Sequence, residues 1–133
     1  MKTKQVPQDN SNLSENNLKE LCYATDELGQ YTTTLSSGWE PKTLALDLSI
    51  KVIEDRIQNA KYKIQQGKAS PILYYMELYK MDYNILGAYV NIHPWIVRLH
   101  TKPFFFKRLS LGTLRKYAEV FKIEQDTLLN FEA

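Results

Sequence analysis

A single cysteine, Cys22, stands in a chain of 133 residues, so no disulfide can close within it and no thiolate cluster can hold a metal. On an apolar helix face such a thiol serves as a small buried hydrophobe rather than a nucleophile. Glycine is sparse, at five residues, and none of the five forms a phosphate-cradling loop. There is no nucleophile elbow and no pair of carboxylates in an apolar setting. His93 and His100 have no carboxylate or cysteine nearby that would complete a metal set. His93 reads as a turn or cap residue, and His100 as a cation at a helix end. Catalysis, a bound metal and a bound cofactor are all unexpected on these grounds. No apolar run approaches the roughly 18 residues that a membrane span requires. The opening MKTKQVPQDNSN has no apolar stretch behind its lysines, which argues against a secretory leader. The expectation is a cytoplasmic protein that does not cross a membrane.

Acidic charge is also missing, but only locally. Between Asp82 and Glu119 there is no Asp or Glu, while Arg98, Lys102, Lys107, Arg108, Arg115 and Lys116 all fall in that stretch. The formal net charge of +2 conceals this asymmetry. Residues 1–60 hold six basic and nine acidic side chains, whereas residues 61–133 hold eleven and six. A surface of one sign attracts polyanions and speeds their encounter. The same pattern also describes a solvated basic face with no partner, so charge alone does not decide.

What is present falls into three stretches. Residues 1–13 are polar and bury too little to offset their ordering entropy, so they read as a mobile tail. Ser14 then takes the place of a helix N-cap, with Leu18, Leu21, Cys22 and Leu28 at helical spacing and Gly29 as the stop. Tyr31 to Leu35 is extended in character and Ser36-Ser37-Gly38 is a break. Residues 1–40 are thus expected to be a flexible tail with a short helix and a loop. Residues 41–67 predict a long amphipathic helix: Pro41 suits a first turn, Leu46, Ile50, Ile53, Ile57, Ala60 and Ile64 form a heptad seam, and Gly67 ends it. That seam either braces the rest of the chain or pairs with a second copy in a homodimer.

From Ser70 onward, caps and breaks recur at short intervals. Ser70-Pro71 opens a helix over Ile72 to Met81, and Asp82 caps a second that carries Ile85, Leu86, Tyr89 and Val90. Asn91 stands at a turn, where its side chain tolerates a left-handed backbone. His93-Pro94 starts a third helix that ends near His100, before Lys102-Pro103. Ser110 caps a fourth, with Leu111, Leu114, Tyr117, Ala118 and Phe121 inward, and Glu124 to Phe131 makes a fifth with Leu128, Leu129 and Phe131 inward. Small Gly87 lets the third helix cross closely over the second, while Ile92 and Val97 pin the pair from beneath. Each of Phe104, Phe105 and Phe106 is expected to be buried.

The stretch DYNILGAYVNIHPWIVRLH, Asp82 to His100, resembles the core of the XRE-type family of Cro and phage repressors. Leu86-Gly87 and Asn91-Ile92-His93 take the places of that family's Leu-Ala pair and its Gly-Ile/Val-Ser turn. Leu109 to Leu129 is similar to the family's closing two helices. The resemblance covers some 60 residues, and it implies an all-α fold: a lambda-repressor-like five-helix domain with a helix-turn-helix over residues 70–133, preceded by the long amphipathic helix. It further implies a sequence-specific regulator that inserts the helix from Pro94 to His100 into the major groove of double-stranded DNA. The positions that would meet DNA are Pro94, Trp95, Arg98, Leu99 and Lys102, with Lys107 and Arg108 on phosphates. The family usually places a polar side chain where Pro94 stands, and Trp95 and Leu99 have only thymine methyls to recognise. The alternative is a domain of this kind that has lost base reading and binds a protein through Trp95 and the Phe104–Phe106 region.

Overall fold

A computed structural model describes residues 1–132, which divide into two compact units, Met1–Lys51 and Val52 onward. In the first unit a 3₁₀ turn (Thr3–Gln5) and the one-turn helix α1 (Asn12–Glu15) precede strands β1 (Glu20–Thr25) and β2 (Tyr31–Ser36), after which helix α2 (Glu40–Gln65) begins. The strands pair antiparallel, with Cys22 opposite Thr34 and Ala24 opposite Thr32. Asp26 organises the connecting loop: its carboxylate accepts from Leu28 N–H at 2.8 Å and Gln30 N–H at 2.9 Å, and Gly29 takes the left-handed φ of 82° that the turn requires.

This hairpin overturns the expected all-α fold: the chain is mixed, 58% helical and 11% strand. Leu18, Leu21, Cys22 and Leu28 share no helix face, because a period of two governs residues 20–25, with Ala24 buried and Leu21 and Tyr23 exposed. β-Branched threonines at 32 to 34 supply a pairing partner that local spacing cannot reveal. Cys22 is accordingly a free, half-buried thiol on a strand. The helix cap lies earlier than Ser14, at Ser11, whose Oγ accepts from Ser14 N–H at 3.3 Å.

The boundary between the units falls inside α2. Trp39 C=O accepts from the N–H groups of Lys42 and Thr43, both at 3.0 Å, which starts the helix. The heptad seam does not behave uniformly along its length. Ala60 is buried and Ile53, Ile57 and Ile64 are half-buried, whereas Leu46 and Ile50 are exposed. Within the second unit, Arg56 Nε lies 3.0 Å from a Glu77 carboxylate oxygen and Lys61 Nζ sits 5.5 Å from the Tyr74 ring centroid. The later part of α2 thus contacts Tyr74 and Glu77 of the helix that follows, α3 (Pro71–Leu78), through Arg56 and Lys61.

The second unit holds α3 (Pro71–Leu78), α4 (Tyr83–Val90), α5 (Pro94–His100), α6 (Pro103–Phe106), α7 (Leu111–Phe121) and α8 (Gln125–Leu129). That is six helical segments rather than five, because Pro103 starts a separate turn where a loop is expected. Ile72, Leu86, Val97 and Leu128 have no exposed surface, and each contributes roughly 1.5–3 kcal/mol by leaving water. Tyr75, Tyr117 and Phe121 join them in the core together with Met76, Val90, Phe106 and Leu114, and the Tyr75 and Phe121 rings are stacked at 5.2 Å. Ile85, Tyr89, Leu111 and Leu129 lie exposed, contrary to the inward faces that spacing alone suggests. Short helices leave narrow buried stripes: Leu86 and Val90 fill the one on α4, and Leu114, Tyr117, Ala118 and Phe121 the one on α7.

Candidate nucleic-acid interface

The geometry of α4 and α5 starts from their caps. Asp82 Oδ1 accepts from Ile85 N–H at 2.7 Å and so fixes the first turn of α4. At the other end Asn91 adopts φ 54° and ψ 49°, and Ile92 N–H donates to Gly87 C=O at 2.9 Å. A Cβ on Gly87 would stand 2.6 Å from Ile92 O and 3.3 Å from Pro94 N, so no larger residue fits this turn undisturbed. His93 Nδ1 accepts from Trp95 N–H at 3.2 Å, making His93 the N-cap of α5, and Pro94 occupies the first helical position.

The inner side of α5 is held at several points. Val97 is fully buried, and the buried Thr101 hydroxyl donates to Arg98 C=O at 2.7 Å. Ser70, 1% exposed, donates its N–H to Thr101 C=O at 2.8 Å and its hydroxyl to His100 C=O at 2.7 Å. Its hydroxyl is thus used to tie α3 to α5 and does not cap α3. His100 is no helix-end cation either: its Nδ1 pairs with the Tyr117 hydroxyl at 2.8 Å, and burial holds its pKa below the usual histidine value. Burial likewise pushes the Tyr117 phenol upward, so neutral forms of both groups are favoured.

The outer side presents what the sequence suggests, with exceptions. Trp95 and Arg98 are exposed at positions i and i+3 of α5, one face of that helix, and Lys102 is exposed in the extended link to α6, while Pro94 and Leu99 are half-buried. Lys107 and Arg108 are exposed beyond α6. Among the described residues Arg98, Lys102, Lys107 and Lys116 form no ion pair, whereas Arg115 lies 3.7 Å from Glu119. Of the three phenylalanines only Phe106 is buried, at 8% exposure, because a one-turn helix can aim one side chain in three at the core. Phe104 and Phe105 remain exposed, and the Arg108 guanidinium lies 3.7 Å from the Phe104 ring centroid. Compared with models of known protein families, with curated proteins and with solved structures, the chain finds no match.

Proposed function

We propose that the protein binds double-stranded DNA through the outer side of α5 and acts as a transcriptional regulator in the cytoplasm, its α4–turn–α5 unit serving as an XRE-type helix-turn-helix. The observation that carries this reading is the set of exposed cations that form no ion pair among the described residues, Arg98 on α5, Lys102 after it and Lys107 after α6, with the inner side of α5 pinned by Ser70, Val97 and Tyr117. Holding the helix in advance means that little backbone ordering remains to be done on binding, and the cost left is that of ordering the exposed Arg98, Lys102 and Lys107 side chains. Arg98 is suited to a guanine edge, and Lys102, Lys107 and Arg108 to phosphates on either side of the groove. No carboxylate lies in the sequence from Tyr83 to Ala118 to oppose a polyanion.

Trp95, Phe104 and Phe105 favour the second reading, a protein-binding module of the same shape, since exposed aromatics anchor protein interfaces. The test is binding of the protein to random-sequence duplex DNA across a salt series. Micromolar affinity that falls steeply with salt supports the DNA reading. Absence of binding at low salt removes it in favour of a protein partner.

The first unit leaves Leu21, Leu35, Leu44, Leu48 and Ile50 exposed, which suits self-association, and a dimer would set two copies of α5 against two half-sites. Sedimentation equilibrium returning a monomer mass at every concentration would exclude that arrangement.

A further inference from the structure

We propose that Phe104, with Arg108 seated against its ring, is a stacking platform for an unpaired base, so that this surface prefers DNA interrupted by a bulge over an intact duplex. The proposal rests on the DNA reading above and names the form of DNA it favours. Pro103 starts α6 and Phe106 anchors it in the core, so Phe104 is carried on a fixed turn and not on a free loop. Lys107 N–H donates to Pro103 C=O at 3.1 Å and Arg108 N–H to Phe105 C=O at 3.1 Å, which closes that turn. Phe105 meets Phe104 edge to face at 5.2 Å and holds the ring from the side.

Phe104 nonetheless stays 58% exposed while Arg108 lies against its ring. An exposed phenylalanine bearing a guanidinium gains little from an intact duplex, whose grooves offer base edges and whose base faces are already stacked. An unpaired base offers a whole π face, and aromatic side chains and arginine together take up such bases in sequence-tolerant sites. Charge selects nucleic acid over an apolar protein partner. Lys102, Lys107 and Arg108 lie within four positions of Phe104 with no acidic residue among them, and an apolar partner would have to strip water from those cations without pairing them.

The experiment compares the affinity of the full chain for two labelled duplexes of one sequence, one of them carrying a single unpaired 2-aminopurine, at fixed salt. The wild type is expected to favour the bulged duplex roughly 5- to 150-fold, the range that loss of one base–aromatic stack spans, with quenching of the 2-aminopurine emission. Phe104→Ala, at an exposed site that leaves the core untouched, should abolish the preference while retaining affinity for the intact duplex, and Phe104→Trp should keep the preference. Equal affinity of the wild type for the two duplexes, or a preference that survives Phe104→Ala, overturns the platform and leaves the DNA reading standing. Failure to bind either duplex overturns the DNA reading and the platform together.

Discussion

Replacing Gly87 by alanine sets two effects of opposite sign against each other, and the structure decides between them. Alanine is the better helix former by about 0.8–1.0 kcal/mol, so propensity alone predicts a more stable protein. The added methyl would stand 2.6 Å from Ile92 O, where ordinary van der Waals contact begins at 3.4 Å. The obstructing atoms belong to the backbone of Ile92 and Pro94, and so cannot swing aside as a long side chain would. Relief requires the turn to move by the better part of an ångström, against the left-handed Asn91 and the Ile92 N–H to Gly87 C=O hydrogen bond at 2.9 Å. Overpacking of this kind costs about 1–3 kcal/mol, which exceeds the gain in propensity at most of its range. Gly87→Ala should therefore be destabilising by about 1 kcal/mol net, a fall in melting temperature of about 4–8 °C for a domain of this size. Circular dichroism melts measure it. Gly112→Ala is the internal control: it adds the same methyl to α7 with no atom within 4 Å, and should hold or raise the melting temperature. A Gly87→Ala protein as stable as the wild type would refute the close crossing of α4 and α5.

Two further outcomes follow from the helix ends and from His100. Lys122 closes α7 at φ 54° and ψ 42°, a conformation that costs an L-residue roughly 1–2 kcal/mol, so Lys122→Gly should raise stability by up to about 1 kcal/mol once glycine's greater unfolded-state entropy is set against it. A lower denaturation midpoint in urea would contradict that account of the turn. Burial depresses the pKa of His100 in the folded state, so the unfolded chain binds the extra proton: stability is complete above the ordinary value of about 6.5 and declines as pH falls through it toward the depressed value. Melts taken on either side of that window should show the decline, and His100→Gln, which cannot titrate, should flatten it. An unchanged slope in the variant would assign the effect to other groups.

Much of the second unit is legible in the chain, because its boundaries are written in short-range chemistry. Asp82 and Ser110 cap their helices through hydroxyl or carboxylate oxygens, Pro71 and Pro94 sit at first helical positions, and Asn91 takes the left-handed corner, whereas Pro103, expected only to end α5, also starts α6. What escapes reading is set by partners distant in sequence or by conformations with no residue signature. The β1–β2 hairpin depends on Cys22 meeting Thr34 and Ala24 meeting Thr32, which outweighs a helix-like spacing of leucines. His100 finds Tyr117 seventeen residues away, which removes it from the role of a helix-end cation. Lys80 and Lys122 adopt left-handed backbones with none of the glycine or asparagine that would announce them. A run of three phenylalanines carries no period from which the single buried one, Phe106, could be picked out. At the candidate interface the exposure of Trp95 and Arg98 follows from helical spacing about the buried Val97, whereas the seating of Arg108 on Phe104 depends on the turn of α6, which no spacing announces.

The central claim is that the outer side of α5 meets the phosphate backbone, and the salt dependence of binding tests it most directly. Each phosphate contact contributes about −0.9 to the slope of log K against log salt on duplex DNA. The measurement is that slope for the wild type and for the Arg98→Ala/Lys102→Ala protein, both substitutions being exposed and outside the core. A steep wild-type slope that becomes shallower by about one in the double variant, for the phosphate contact of Lys102, with lower affinity from the loss of both side chains and an unchanged melt, is the predicted result. A slope and affinity indifferent to the two substitutions, or no binding by the wild type at low salt, would contradict the account.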